Sequence, residues 1–465
     1  MSSEAGRQDG WRDLLREGRF ARFALLCLGV WLNAADALMT ATIMPSVARD
    51  IGGYAYFGWA IAGYLLGSIV AGASAGQFSM RFGVRRALAM AAIVYAAGCV
   101  VSAIAPEIAS FLVGRLLQGV GAGWVVGLCY VAIGTMFPEH LWARVLASIS
   151  GVWGVATLLS PLIGGIFAEA GIWRWSFWLF AVQGTGFAAA ALALLGEGHP
   201  QRDDHPLPIR QLAILTSGIL AIAAAGLLPD AARALALGAA GLALLLWFVR
   251  FDARSRAPLL PRQTGNPATA AGAGYAMIFL LAAGTISFSV YGSAIMQALY
   301  GSSPLAAGYI IGAEAMAWTL AALAVSSLPD RWHGFFIRLG ASCIVAGVAG
   351  LAIAMPRGPV AAIVASAIIM GCGFGLAWAF MARRILSSVD GEERAVASSA
   401  VPTMQLVGGA AGSAGAGAIA NLLGFVHGID ATTAAAGSFW LFAAFVPVVG
   451  LGWLAAWRLA GLERG

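Results

Sequence analysis

Apolar runs of about twenty residues, separated by short polar connections, repeat along the whole chain. They fall at residues 22–44, 56–76, 87–105, 109–135, 143–168, 174–195, 209–228, 232–251, 272–299, 304–327, 336–355, 359–385, 394–421 and 436–460. Each is long enough to cross ~30 Å of hydrocarbon at 1.5 Å per residue, so the pattern predicts an all-α polytopic membrane protein with fourteen transmembrane helices. The two longest polar connections, 196–208 and 252–271, bracket the helix pair at 209–251. The chain therefore divides into a tail at 1–21, a six-helix bundle at 22–195, a linker with two additional helices at 196–271, and a second six-helix bundle at 272–465. "GQFSMRFGVRR" (76–86) and "SSLPDRWHGFFIR" (326–338) each follow the second helix of their half. Two pseudo-symmetric parallel repeats of this kind are typical of secondary transporters, which place a substrate site near the bilayer midplane between the halves.

Composition supports the same class: 60% of residues are hydrophobic and 10% charged, against about 25% charged in an ordinary soluble domain. Charge then sets the orientation. An even number of crossings puts both termini on one face, and 22 of the 27 basic residues, all arginine, fall there. The other face holds Arg49, Arg174, Arg233 and Arg357, and Arg115 lies inside a segment. The positive-inside bias makes both termini cytoplasmic, in a bacterial inner membrane. The first run is too long for a secretion signal and contains Asp36, so it reads as a membrane helix. Before it, Trp11, Leu14, Leu15 and Phe20 alternate with arginines, as in a short interfacial helix.

Several chemistries lose their residues. The chain has no lysine, which removes Schiff-base and lysine-base catalysis. Its five cysteines sit in apolar segments without CxxC spacing, and its five histidines (His140, His199, His205, His333, His427) are dispersed. No Walker loop, HExxH or GxSxG is present, which argues against a membrane enzyme. Topology accounts for the arginines, so no nucleic-acid partner is implied. The expected partners are the lipid bilayer and a small-molecule substrate, with a monomeric chain, no metal and no cofactor beyond a proton gradient.

Three ionisable residues lie well within apolar segments: Asp36, Arg115 and Glu314. A charge at the bilayer centre costs at least ~2.5–3.5 kcal/mol, so each calls for a partner or a task. Asp36 is eight residues from the outer end of its segment, ~12 Å deep, and Arg115 is about six residues into its own, ~10 Å deep. The two are level. A guanidinium cannot discharge itself, so Arg115 would act as a fixed positive charge beside the carboxylate. Burial favours the neutral acid and the guanidinium favours the carboxylate, and opening the site to either side changes both terms. A static pair holding two helices together is the other reading. Asn33 and Thr40 share the Asp36 face, and Gln118 lies one turn from Arg115. Glu314, near the midplane with nothing basic on its helix, should rest protonated. It suits a proton site or a counter-ion for a cation, with Trp318 one turn on available for stacking; a neutral carboxyl bonded across helices is the alternative. Trp31, Tyr130, Phe288, Tyr291 and Trp378, with Trp124, Trp153 and Phe374, are candidates for an aromatic cavity, though such residues also serve as core.

Four motifs, in order, give the chain a family resemblance: "DALMTATIMPSVARDIGG" (36–53), "GQFSMRFGVRRAL" (76–88), "FLVGRLLQGVGAG" (111–123) and "SPLIGG" with "WRWSFW" (160–165, 173–178). Together they resemble the fourteen-helix drug:proton antiporter branch of the major facilitator superfamily. The resemblance sets the first and fourth helices side by side, which would bring Asp36 to Arg115. It also implies proton-coupled export of amphipathic compounds by alternating access. Gly76, Arg81, Gly83, Arg85, Gly119, Pro161, Gly164 and Gly165 fall on its gating motifs, and Asp330 and Arg331 keep an acidic-basic pair in the second half. Met80 stands where the family's loop usually has aspartate, Val84 where it has a basic residue, and Ser160 where glycine precedes the proline. A dedicated metabolite exporter and an uptake symporter are the alternatives within transport, and a non-transporting receptor is one outside it.

Overall fold

A computed structural model describes residues 18–196, 208–256, 258–326, 328–390 and 393–462. The interfacial segment expected before the first span, including Trp11, Leu14 and Leu15, lies outside the described residues, as do His199 and His205. Phe20 falls within the first helix and is exposed.

The first half comprises α1 (Arg19–Ile51), α2 (Phe57–Phe82), α3 (Val84–Ala103), α4 (Ile108–Met136), α5 (Glu139–Glu169) and α6 (Arg174–Leu194). The inserted pair is α7 (Ile209–Ala225) and α8 (Ala231–Asp252). The second half comprises α9 (Ala270–Tyr300), α10 (Pro304–Val325), α11 (His333–Arg357), α12 (Val360–Ser387), α13 (Arg394–Leu422), and a last span made of α14 (Ala431–Ala443) and α15 (Val446–Gly461). No strand occurs among the described residues. Among the described residues, twelve spans are long and apolar enough to cross a membrane, and Ile209–Ala225 is a shorter apolar helix. Helix α13 completes the fourteen. Ser, Thr, Gln and Gly dilute its hydropathy, but the stretch 407–414 is buried against protein, where small and weakly polar residues are tolerated.

Local signals set the boundaries. Gly83, at φ 74°, turns α2 directly into α3, a left-handed conformation that favours glycine. Asp230, Thr269, Ser303 and Asp430 cap α8, α9, α10 and α14 by accepting from the backbone N–H three residues on, each cap contributing about 1 kcal/mol. The Asp430 carboxyl, outside the spans, is held below the usual carboxylate range by its bonds from Thr433.

Close approach of backbones holds each half together, since between apolar helices in lipid the attraction comes from packing rather than from water exclusion. A Cβ on Gly119 would lie 2.0 Å from the Tyr64 carbonyl oxygen, and one on Gly123 would lie 2.4 Å from that of Ser68. In the second half, Gly371 and Gly375 meet the carbonyls of Glu314 and Trp318 in the same way, at 2.0 and 2.3 Å. Gly98 packs on Gln118 and the Gly114 carbonyl, and Gly347 packs on Met370 and the Ser366 carbonyl. Gly121 meets Tyr95, as Gly373 meets Ile344. Offsets of 249–252 residues, constant within each helix, therefore carry α2–α4 onto α10–α12. This is the internal repeat expressed as side-chain register.

Gly119→Ala should consequently destabilise the protein by about 1–3 kcal/mol, because the added methyl drives α2 from α4. Gly134, whose Cβ would meet nothing within 4 Å, is the control. Its alanine variant should gain up to about 1 kcal/mol from helix propensity. Thermal unfolding in detergent reads both, with opposite signs expected.

The halves meet at two seams, both in the part of the membrane away from the terminal face. At the α5/α10 seam, Gly165 packs on Leu305, Gly308 on Thr42 and Pro161, and Gly312 on Thr157. At the α2/α13 seam, Gly58 packs on Ser413 and Gly417, and Ser413 Oγ donates to the Gly58 carbonyl (2.9 Å). The inserted pair rests against α13 and α2. Asn421 Nδ2 donates to the carbonyls of both Ala55 and Gly226, each at 3.0 Å, tying first half, inserted pair and second half at one point.

Candidate functional site

Asp36 and Arg115 meet. Arg115 Nη1 donates to Asp36 Oδ1 at 2.9 Å, and the side chains are 0% and 1% exposed. The geometry reaches this contact by a route different from matched depth. Helix α1 continues through Pro45 to Ile51, so Asp36 lies fifteen residues, about 22 Å, from its end. Arg115 is seven residues, about 10 Å, from Ile108. Helix α1 is overlong for the bilayer and its far end extends beyond that of α4, a length membrane helices accommodate by tilting.

The pair sits in a polar cluster otherwise enclosed by apolar helices. Arg115 Nη1 also donates to Gln118 Oε1 (2.6 Å), its Nε donates to the Ala60 carbonyl (3.5 Å), and its guanidinium lies 4.4 Å from the Tyr64 ring centroid. Gln118 Nε2 donates in turn to Cys99 Sγ (3.1 Å). Tyr64 Oη donates to Asn33 Oδ1 (2.7 Å), and Thr40 Oγ1 to Asp36 Oδ1 (3.3 Å). Asp36 Oδ2 is buried without a hydrogen bond. The Tyr95 hydroxyl, which donates to the Leu32 carbonyl (3.4 Å), stands within reach of the same carboxyl. A carboxylate with one oxygen bound and the other unengaged can accept a proton without first breaking its ion pair.

The repeat makes the cluster one-sided. Ala367 and Met370, both 0% exposed, take the places of Arg115 and Gln118 in the second half, and Ile344 that of Tyr95. Tyr64, which faces the guanidinium, has Glu314 as its counterpart. Glu314 is half-buried on α10, the helix that meets the first half through Gly308 and Gly312, and among the described residues no hydrogen bond or ion pair engages its carboxyl. One turn further, Trp318 stacks on Phe374 (4.7 Å between centroids, 10° between planes) and packs against Trp378 at 5.4 Å.

The other candidates are scattered. Trp31 Nε1 donates to Gln183 Oε1 (2.9 Å), joining α1 to α6. Tyr130 is 52% exposed. Phe288 and Tyr291 are fully buried, and Tyr291 stacks on Phe57 and packs against Phe425 near the α2/α13 seam, so both belong to packed wall. Trp124 stacks on Phe78 and donates to Ser74 Oγ. Gly76 is exposed, Arg81 lies over the Phe82 ring and Arg85 is half-buried. Pro161 and Gly165 contact α10, whereas Gly164 packs on Met39 and Ile43 of α1. Arg331 is exposed in the single turn Asp330–Trp332, and the Asp330 side chain lies outside the described residues.

Tyr64, Tyr95, Cys99 and Gln183 were not singled out by the sequence. Each is an isolated polar atom in an apolar run, and only the fold gathers them. On the face opposite the termini, Arg174 donates to Asp50 Oδ2 and to the Ala105 carbonyl (3.0 Å), which ties the ends of α1, α3 and α6 together.

Residues 26–413 match the Major Facilitator Superfamily. The chain is 31% identical over 434 residues to a protein of Mycobacterium tuberculosis (strain H37Rv) named as a probable multidrug-efflux transporter, covering 90% of this chain and 92% of that one. Among solved structures, a D-xylose-proton symporter aligns with TM-score 0.66 at 18% identity, over 95% of this chain and 97% of its own. A peptide transporter in complex with sulfate aligns with TM-score 0.66 at 19% identity, over 96% of each chain.

Proposed function

The chain belongs to the Major Facilitator Superfamily, and from that premise we propose that it is a proton-coupled antiporter exporting amphipathic small molecules by alternating access. In this reading it resides in a bacterial inner membrane with both termini cytoplasmic. The observation that carries the proposal is the fully buried Asp36–Arg115 pair, whose second carboxylate oxygen is unengaged. The full-length similarity to a probable multidrug-efflux transporter supports the substrate class.

The mechanism follows from what each partner keeps when the pair dissolves. Protonating Asp36 removes its charge, yet Arg115 retains the Gln118 oxygen, the Ala60 carbonyl and the Tyr64 ring face. The guanidinium is thus never left bare, and the neutral state of the carboxyl is accessible. Losing the ion pair loosens α1 from α4. Helix α1 also carries Thr42, against which Gly308 of the other half packs. A protonation event is thereby passed along one helix to the seam that must part for the site to change sides. Glu314 supplies the negative charge for a cationic substrate, with Trp318 beside it offering a π face.

The test is antiport in everted vesicles carrying a ΔpH-sensitive dye. Lipophilic cations should dequench the dye on addition, and a full panel of cations, zwitterions and neutral compounds producing no signal would defeat the proposal. Glu314→Gln should lose the cations by about tenfold or more while keeping neutral substrates, since it removes the one charge that separates the two classes. Equal loss of both classes would move Glu314 from substrate recognition to the proton pathway.

A further inference from the structure

Away from the central cluster, a cleft of about 230 Å³ opens between the inserted helix pair and the terminal-side halves of α2 and α13. Its walls include Ile69 of α2, Leu215 of α7, Phe248 of α8 and Met404 and Val407 of α13, and Leu259 of the following loop closes it. Leu259 and Leu260 are tied back to α8. Asp252, 0% exposed at the end of α8, accepts from the backbone N–H groups of Leu259 (2.9 Å) and Leu260 (2.8 Å).

Two features limit what the cleft can hold. It is smaller than the roughly 300–1,000 Å³ of pockets that take drug-sized molecules. Its lining also makes little polar demand, because Thr403 Oγ1 donates to the Ser399 carbonyl (2.8 Å) and Ser399 Oγ to that of Val396 (3.0 Å). From Leu259 at the terminal face to Ile69, thirteen residues before the end of α2, it runs about 20 Å along the helix axis, comparable to one leaflet.

The mouth has the opposite character. Four of the five elements that wall the cleft carry an exposed arginine within one turn of a lining residue, α2 being the exception: Arg210 before Leu212, Arg250 after Phe248, Arg256 before Pro258 and Arg394 before Val396. Arg262 lies 3.7 Å from Glu393, the only ion pair shown at this rim among the described residues. We propose that the cleft is a binding site for an anionic phospholipid of the terminal-face leaflet, with an acyl chain between the inserted pair and the terminal-side halves of α2 and α13 and the phosphate among the rim arginines. The inserted pair then serves as a lipid-sealed flank that closes the α2/α13 side to lateral entry from this leaflet, a role independent of the proton-coupling reading.

Native mass spectrometry of the detergent-purified full chain tests this, using phosphatidylglycerol and phosphatidylcholine with identical acyl chains. Wild type should retain phosphatidylglycerol at least about tenfold better, as expected for several arginines acting on one phosphate. Ser399→Phe, which fills the cleft, should lose both lipids, and Ala73→Phe, which fills it from the α2 side, does the same should the first variant fail to fold. Arg250→Gln with Arg256→Gln should abolish the headgroup preference and leave weak binding of both. Equal retention of the two lipids by wild type, or unchanged phosphatidylglycerol in a folded cleft-filling variant, would overturn the assignment. So would displacement of the lipid by tetraphenylphosphonium, which would give the cleft to transported substrate.

Discussion

Asp36→Asn is expected to reduce substrate-induced dequenching in everted vesicles to the level of vesicles lacking the protein, while the purified variant stays folded. The two outcomes separate because of what asparagine preserves. Its Oδ1 can still accept from Arg115 Nη1, which bonds Asp36 Oδ1 at 2.9 Å, so the guanidinium keeps its partners and the variant stays folded. The amide cannot take up a proton, so the charge change that drives the proposed cycle is gone. Binding of a lipophilic cation, read by tryptophan fluorescence, should survive, because Glu314 and Trp318 are untouched. Antiport persisting in this variant would remove Asp36 from the proton pathway and leave the pair a structural one.

The second large effect is an asymmetry in stability. Asp36→Leu strands a guanidinium that is 1% exposed and cannot shed its charge. Breaking a buried pair from that side should cost about 3–5 kcal/mol, less whatever Gln118 and the Tyr64 ring recover. Arg115→Leu strands a carboxyl instead, and a carboxyl escapes by binding a proton. In mildly acidic buffer Arg115→Leu should therefore unfold well above Asp36→Leu, and the double variant should recover most of the loss seen in Asp36→Leu alone. Thermal unfolding of the four proteins forms the cycle. Equal costs for the single variants, adding in the double, would mean that the two side chains do not act as a pair.

The fold was legible because the bilayer imposes a length on every crossing, and fourteen apolar runs record it. Helix α13 shows the limit of that reading: "GGAAGSAGAG" is scarcely hydrophobic, and it crosses because protein rather than lipid surrounds it. Asp36, Arg115 and Glu314 stood out because charge is rare in such segments. Their neighbours did not, since Tyr64, Tyr95 and Cys99 look like ordinary core in a single chain. The aromatic candidates divided for a related reason. Sequence marks an aromatic residue but not the direction it points, and Phe288 and Tyr291 point into packed wall whereas Trp318, Phe374 and Trp378 form a cluster. The internal repeat was faint in the motifs around residues 76 and 326 yet plain in the glycine register, because backbone contacts fix where a side chain must be absent while leaving the rest of the surface free to drift.

Asn421 has a kinematic consequence. Its amide bonds the Ala55 and Gly226 carbonyls at the same 3.0 Å, but the two bonds belong to different moving bodies. If the α2/α13 seam parts in the proposed alternating-access cycle, the Ala55 bond must stretch and break, whereas the Gly226 bond can ride along, backed by Ala418 against the turn after α7. The inserted helices would then swing as cargo of the second half, with the first half pivoting past them.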